Sequence, residues 1–246
     1  MPVLIAPDAF GHTLRAPAVA AAIARGLERA GVAAVDECPV SSGGAGSRTS
    51  AVPALGGETA DGFVLIEDGG TAIVQPGQSA EATAARVAAA VQSGAAVVVL
   101  AAAAMTPSDA DSARAVARAG GLRGASLVVL SQLRIPAATS DPWTQIGARV
   151  VAGAPFVLAA LGFDERMRAA RAVITGEAQL DAATLRGGVA GEIATRARQS
   201  GVPCHAIVGA NLADPFEARI LDLQAIREAT TVDDVEAAAQ ELAAYM

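Results

Sequence analysis

The chain has 246 residues, enough to bury a full core, yet only 3% are aromatic and much of its 52% apolar content is alanine. The core is therefore expected to be built from Val, Leu, Ile and Ala, with helices lying close to a sheet. A formal net charge of −7, with no run of basic residues, argues against nucleic acid as a partner, because that needs a clustered cationic footprint. All 18 basic residues are arginine. Arginine binds phosphate well and often bidentately, but no lysine ammonium is present for phosphoryl transfer. Cys38 and Cys204 are isolated, without metal-ligand spacing, and read as small core residues in a reducing compartment. The first residues read as a strand too short for a signal segment, and no apolar run is long enough to span a bilayer. A cytoplasmic location is expected.

In chain order, Val3 to Ala6 is a buried strand ended by Pro7-Asp8. Leu14 to Ala30 is an amphipathic helix, with Thr13 as its N-cap and Gly31 as its stop. A strand over Val32 to Val40 leads into the glycine-rich stretch Ser41-Ser42-Gly43-Gly44-Ala45-Gly46-Ser47 and a short helix near Arg48 to Leu55. Gly62 to Glu67 and Thr71 to Gln75 flank Asp68-Gly69-Gly70, a hairpin signal. A helix over Ser79 to Gln92 precedes the continuous apolar strand Val97 to Leu100, of the kind parallel sheets bury on both faces. The segment Thr106-Pro107-Ser108-Asp109 opens a helix to Ala119, and Ser126 to Leu130 is a strand. A long irregular connection through Pro136, Pro142 and Trp143 leads to helices around Phe156 to Leu161 and Asp164 to Ala170.

Next comes the stretch with the clearest chemistry, Val173-Ile174-Thr175-Gly176-Glu177-Ala178-Gln179-Leu180-Asp181. A β-branched run ends in Thr-Gly, and two carboxylates follow in a polar loop before a helix over Thr184 to Gln199. In open α/β sheets ligands bind outside the carboxyl ends of the strands. Strands at Cys204 to Val208 and Leu223 to Ile226, then a helix over Val232 to Ala244, close the chain. The alternation predicts an α/β protein: three layers with a mainly parallel, Rossmann-like sheet. The expected organisation is one domain over residues 1–246, with 56–80 a hairpin excursion, the remnant of a small second subdomain.

Several residues are candidates for chemistry. Glu177 and Asp181 could bind Mg²⁺ or act as a base; the alternative is a capped, solvated loop before a helix, and the site role is the favoured reading. Asp8 could hold a metal or accept a hydroxyl proton, or be an ordinary turn residue. The glycine stretch could cradle an anion on backbone N–H groups near Arg48, although it lacks the Lys-Ser/Thr ending of a phosphate loop. His12 could contact an anion when protonated, but with an ordinary pKa of about 6.5 it is mostly neutral at pH 7. Arg134 and Arg186 fall in loops near strand ends, where a guanidinium can bind carboxylate or phosphate. His205 lies inside a strand and reads as a satisfied core residue; Asp109 and Asp111 read as helix-start acids.

The motifs also resemble a family. Ile5-Ala6-Pro7-Asp8-Ala9-Phe10 is similar to the Ala-Pro-Asp-Ser-Phe-Lys opening of bacterial glycerate kinases of the glycerate 2-kinase type. Pro39-Val40-Ser41-Ser42-Gly43-Gly44-Ala45-Gly46-Ser47 is similar to their Pro-Val-Ala-Asp-Gly-Gly-Glu-Gly-Thr. Leu161-Gly162-Phe163-Asp164, the Ile174 to Asp181 segment and Thr184-Leu185-Arg186-Gly187-Gly188 match in the same order. The chain departs from the pattern with Gly11 and Gly188 in place of lysines and with Ser42 and Ala45 in place of acids. It also differs over Ala102 to Asp109 and Ser131 to Pro136, and is shortened between about Ile135 and Gly153.

The resemblance implies ATP-dependent phosphoryl transfer to glycerate or a related small hydroxy acid, with ATP and Mg²⁺ as cofactors. It implies catalytic roles for Asp8, Glu177 and Asp181, with Asp8 and Glu177 toward the metal. Gly43, Gly44, Gly46, Ser47, Gly176 and Arg186 would lie toward phosphate or substrate. The departures open a second reading, a non-catalytic member kept as a small-ligand binder or partner subunit. Expected partners are a small molecule, with a homodimer left open, and neither nucleic acid nor membrane.

Overall fold

A computed structural model describes residues 1–11, 13–43, 58–60, 62–66, 70–101, 107–120, 122–131 and 141–246. His12, Gly44, Gly46, Ser47, Arg48, Asp68, Gly69, Thr106 and Arg134 lie outside the described residues, as does the expected short helix over 48–55.

The elements run β1 (Val3–Pro7), α1 (Ala16–Arg29), β2 (Val35–Glu37), β3 (Glu58–Ala60), β4 (Phe63–Leu65), β5 (Thr71–Val74), α2 (Ala80–Gln92), β6 (Val97–Leu100) and α3 (Pro107–Arg118). They continue with β7 (Ser126–Ser131), α4 (Pro142–Gln145), β8 (Arg149–Ala152), α5 (Gly153–Ala160), α6 (Phe163–Ala169), β9 (Ala172–Leu180), α7 (Ala182–Leu185) and α8 (Val189–Ser200). The chain ends with β10 (Cys204–Asn211), α9 (Pro215–Leu221), β11 (Leu223–Glu228), α10 (Val232–Leu242) and a 3₁₀ turn over Ala243–Tyr245. The α/β class and the mainly parallel pairing are as the alternation predicts, but the strands form two sheets. The chain divides into two compact units, one of Met1–Ser41 with Val157–Met246 and one of Ser42–Phe156.

In the first unit five strands, all parallel, are ordered β11-β10-β9-β1-β2. Val3 and Ile5 of β1, Ile174 and Ile207 form one core with Val19, Ile23 and Leu27 of α1 and Val235, Ala239 and Leu242 of α10. Burying each such Val, Ile or Leu contributes about 1.5–3 kcal/mol. On the other face α8 packs on β9 and β10 through Ala190, Ile193, Ala194 and Ala197, completing three layers. Arg196 of α8 ties that helix to α6, its Nη1 donating to both Asp164 carboxylate oxygens at 2.9 and 2.8 Å.

In the second unit six strands are ordered β3-β4-β5-β6-β7-β8, antiparallel over β3 to β5 and parallel from β5 to β8. Their core joins Phe63, Val74, Val98, Leu100, Leu127 and Val129 to Val87, Val116 and Trp143. The hairpin expected at 62–75 is β4–β5, and with β3 it contributes half the strands of this sheet.

Local departures from the sequence reading have local causes. Helix α1 starts at Ala16 rather than Leu14, and Thr13 does not cap it: its hydroxyl donates to the Phe10 carbonyl, while Phe10 and Leu14 form a bridge. Pro17 sits in the first turn, where its missing N–H costs nothing. Gly31, at φ +87, is the expected stop. The connection expected to be irregular holds strand β8, which pairs with β7. Among the described residues no helix is long and apolar enough to cross a membrane.

The alanine-rich composition lets α1 and α10 touch closely. A Cβ on Gly26 would collide with the Glu236 carbonyl and lie 2.7 Å from the Ala239 Cβ. Helix propensity alone favours Gly26→Ala by about 1 kcal/mol, but overpacking of this kind costs about 1–3 kcal/mol. We expect Gly26→Ala to lower the urea midpoint; a rise would show that the α1–α10 contact is loose.

Candidate functional site

The site grows from a difference in strand length. The β1–β9 ladder ends at Pro7 opposite Gly176, and the Asp8 N–H donates to the Gly176 carbonyl at 2.8 Å. On its other side β9 continues with β10, from Gly176 opposite Ile207 to Leu180 opposite Asn211. The segment expected to be a loop after Gly176 is therefore strand, held by this pairing. Strand β1 leads to β2 on one side, while β9 leads to β10 and β11 on the other. The carboxyl ends of β1 and β9 thus flank the point where strand order reverses, the usual ligand position in open parallel sheets. The Val40 N–H donates to the Pro7 carbonyl at 2.9 Å, so the chain leaves for the glycine stretch from this same edge.

Asp181 ends β9 and begins α7. Its carboxylate accepts the Ala183 N–H at 2.6 Å and the Thr184 N–H at 3.4 Å, while the Thr184 hydroxyl accepts the Asp181 N–H at 3.1 Å. This reciprocal capping box explains why the helix starts at Ala182 rather than Thr184. It stops after Leu185, where Gly187 takes φ +114, and α8 restarts at Val189. The single helix expected over 184–199 is thus two, with a turn at 186–188.

Glu177 reaches into that turn. Its Oε1 accepts the Thr184 hydroxyl, and its carboxylate also accepts the Ala190 N–H in the first turn of α8. Its pKa is pushed up to about 7, chiefly by burial, with the charges of Asp8 and Asp181 adding to the rise and the Thr184 and Ala190 bonds opposing it. None of these groups is cationic. Gly188 sits beside it: a Cβ there would lie 3.4 Å from Glu177 Oε2, yet only 2.8 Å from the Thr184 Cα. A lysine at this position would start next to the carboxylate; glycine lets the turn close.

The structure therefore brings Asp8, Glu177 and Asp181 to one edge of one unit. Asp8 Oδ1 also accepts the Ala9 N–H at 2.7 Å, the turn geometry expected of it. Gly176 is a buried strand residue whose missing side chain leaves room for the Phe10 ring, 3.1 Å from where a Cβ would be. Arg186 is exposed at the end of α7. Gly43 belongs to the second unit; at φ +95 it packs on Gly153 and Leu130, a Cβ meeting them at 2.8 and 3.0 Å. Asp109 lies in the first turn of α3, as expected of a helix-start acid, while Asp111 lies beyond that turn and pairs with Arg114 at 2.8 Å. His205 is buried beside Tyr245, but neither ring nitrogen has a hydrogen-bond partner among the described residues, and burial lowers its pKa. Sequence reasoning did not single out Thr184, whose hydroxyl reaches Glu177; its signal is the Asp181-x-x-Thr184 spacing of a capping box.

The sequence profile described as "Glycerate kinase family" matches residues 3–116 and 143–245. The chain belongs to the glycerate kinase family. Among solved structures it is similar to "Crystal structure of putative glycerate kinase 2 from Salmonella typhimurium LT2", at TM-score 0.74 and 18% identity, covering 100% of this chain and 98% of that one. At that identity the likeness establishes the fold. No curated protein matches the sequence.

The raised pKa of Glu177 makes the stability of the fold depend on pH. The folded state holds its proton more tightly than the unfolded chain, so the associated stability is complete below about pH 4.5 and lost as pH rises through about 7. Relative to Glu177→Gln, wild-type stability should therefore fall by about 1–3 kcal/mol between pH 4.5 and 8, measured by urea unfolding. A pH-independent difference would mean that Glu177 is ionised throughout.

Proposed function

We propose that this glycerate kinase family member transfers the γ-phosphoryl group of MgATP to a hydroxyl of glycerate or a related small hydroxy acid. The observation that carries the reading is the gathering of Asp8, Glu177 and Asp181 at the strand-order reversal.

The donor set fits the implied metal. Among the described residues no three His, Cys, Asp or Glu side chains are close enough to hold a metal ion. Mg²⁺ asks for less, since it takes one or two carboxylates and keeps several waters; Asp8 and Glu177 would hold it. When bound, MgATP supplies the phosphoryl group and the metal offsets charge on its oxygens. Asp181 keeps the α7 start in place and adds negative potential at Glu177. Arg186, exposed beside these acids in sequence, and the Gly43-Gly44-Ala45-Gly46-Ser47 stretch are assigned toward phosphate. In a chain without lysine, arginine and backbone N–H groups must take that role.

A second reading, a non-catalytic small-ligand binder or partner subunit, draws on a specific observation. Among the described residues, the groups that set the ionisation of Glu177 are two carboxylates, a hydroxyl and a backbone N–H, and glycine stands at position 188, where the resemblance leads one to expect a lysine.

Calorimetric titration with MgATP, with and without glycerate, separates the two. Saturable binding strengthened by glycerate is the expected result; absence of nucleotide binding would favour the binder. Asn caps helices as well as Asp, so Asp181→Asn removes charge while keeping the helix start. The double variant Glu177→Gln/Asp181→Asn should lose turnover by about 100-fold or more, and unchanged turnover would sink the phosphotransfer assignment.

A further inference from the structure

We propose that Thr184 is the positioning residue of this site: its single hydroxyl holds the Glu177 carboxylate against the start of α8 and ties it to the Asp181 helix cap. The inference deepens the reading given above and rests on it for the role of Glu177.

The geometry leaves that hydroxyl little choice. Thr184 is only 2% exposed, so solvent does not compete for it. Its oxygen accepts the Asp181 N–H at 3.1 Å, and its one proton goes to Glu177 Oε1. The Gln179 carbonyl, at 3.5 Å, is a distant second acceptor. A β-branched side chain in a helix has few χ1 wells, and this one is wedged from behind. A Cβ on Gly191 of α8 would collide with the Thr184 carbonyl and lie 3.4 Å from its γ-methyl. The absence of a side chain at Gly191 therefore lets α8 close onto α7 with Thr184 between them.

Two elements meet through this one oxygen, the end of β9 and the start of α7, and the Glu177 carboxylate it holds faces the start of α8. Removing the hydroxyl would leave the Asp181 N–H without its acceptor and release one oxygen of a half-buried carboxylate. Glu177 would remain bonded to Ala190 alone and would be free to turn. Thr184 has no role as an acid, base or ligand here; it acts through Glu177.

Thr184→Val keeps the shape and removes the hydroxyl, while Thr184→Ser keeps the hydroxyl and removes the methyl. Amide hydrogen exchange on the ligand-free protein reads the positioning directly. In Thr184→Val the Asp181 and Ala190 amides should exchange about tenfold faster or more, consistent with a buried hydrogen bond lost, while β1 and β10 amides keep their rates. In Thr184→Ser they should stay near wild type. With MgATP and glycerate, Thr184→Val should lose about thirtyfold or more in kcat with KM nearly unchanged, the pattern of a displaced reacting group, and Thr184→Ser should recover it.

Unchanged Ala190 exchange in Thr184→Val would overturn the proposal. So would an equal loss in Thr184→Ser, which would assign the effect to methyl packing. If Thr184→Val does not fold, Thr184→Cys replaces it; the weaker hydrogen-bonding thiol should give intermediate exchange, and wild-type exchange would refute the proposal. If the wild type shows no turnover, phosphotransfer fails, while the exchange experiment still decides whether Thr184 positions Glu177.

Discussion

Pairing of β9 with β10 beyond the end of β1 is the constraint on which the first unit's chemistry depends. Strand β1 stops at Pro7, and the Asp8 N–H makes the final bond to the Gly176 carbonyl. Strand β9 has a partner on its other side as far as Asn211 and stays extended to Leu180. This stagger carries Glu177 past the end of β1 and delivers Asp181 to the start of α7. Were β9 to end with β1, the residues from Glu177 to Asp181 would be loop, and nothing in the sheet would space the two acids.

Electrostatics at this edge follow from what surrounds Glu177. Its carboxylate accepts the Ala190 N–H in the first turn of a twelve-residue helix, where the partial positive charge of the helix start favours an anion. That same bond engages an N–H of α8 that could otherwise meet a phosphate. Burial and the neighbouring charges of Asp8 and Asp181 outweigh the favourable contacts, so the acid titrates near neutrality rather than in the usual carboxylate range. A chain without lysine has fewer ways to offset such a cluster.

Glycine does much of the packing in this alanine-rich chain. Gly26 lets α1 approach α10, Gly176 makes room for Phe10, and Gly191 brings α8 against Thr184. In the second unit Gly43 and Gly153 fit against each other, where either Cβ would fall within 3 Å of the other residue's backbone. Some glycines that read in sequence as ligand-binding signals thus also have a steric role. A ligand-cradling glycine and a close-packed one look alike in a linear pattern, because both report only that a side chain is not tolerated.

Sequence alone determined the alternation of strands and helices, the mainly parallel class, the family, and Asp8, Glu177 and Asp181 as acids near strand ends. These depend on local periodicity, turn chemistry and short motifs, which a linear chain carries in full. Tertiary structure decided the rest. The division into two sheets depends on which strands pair, and adjacency of strands in sequence does not specify a sheet. The extension of β9 through Glu177 depends on a partner about thirty residues away in β10, although a Gly-Glu-Ala-Gln run has little strand propensity of its own. The hold of Thr184 on Glu177 arises only when the break at Gly187 and Gly188 folds α8 back against α7. Each is a long-range or steric event, and those leave the weakest trace in the order of residues.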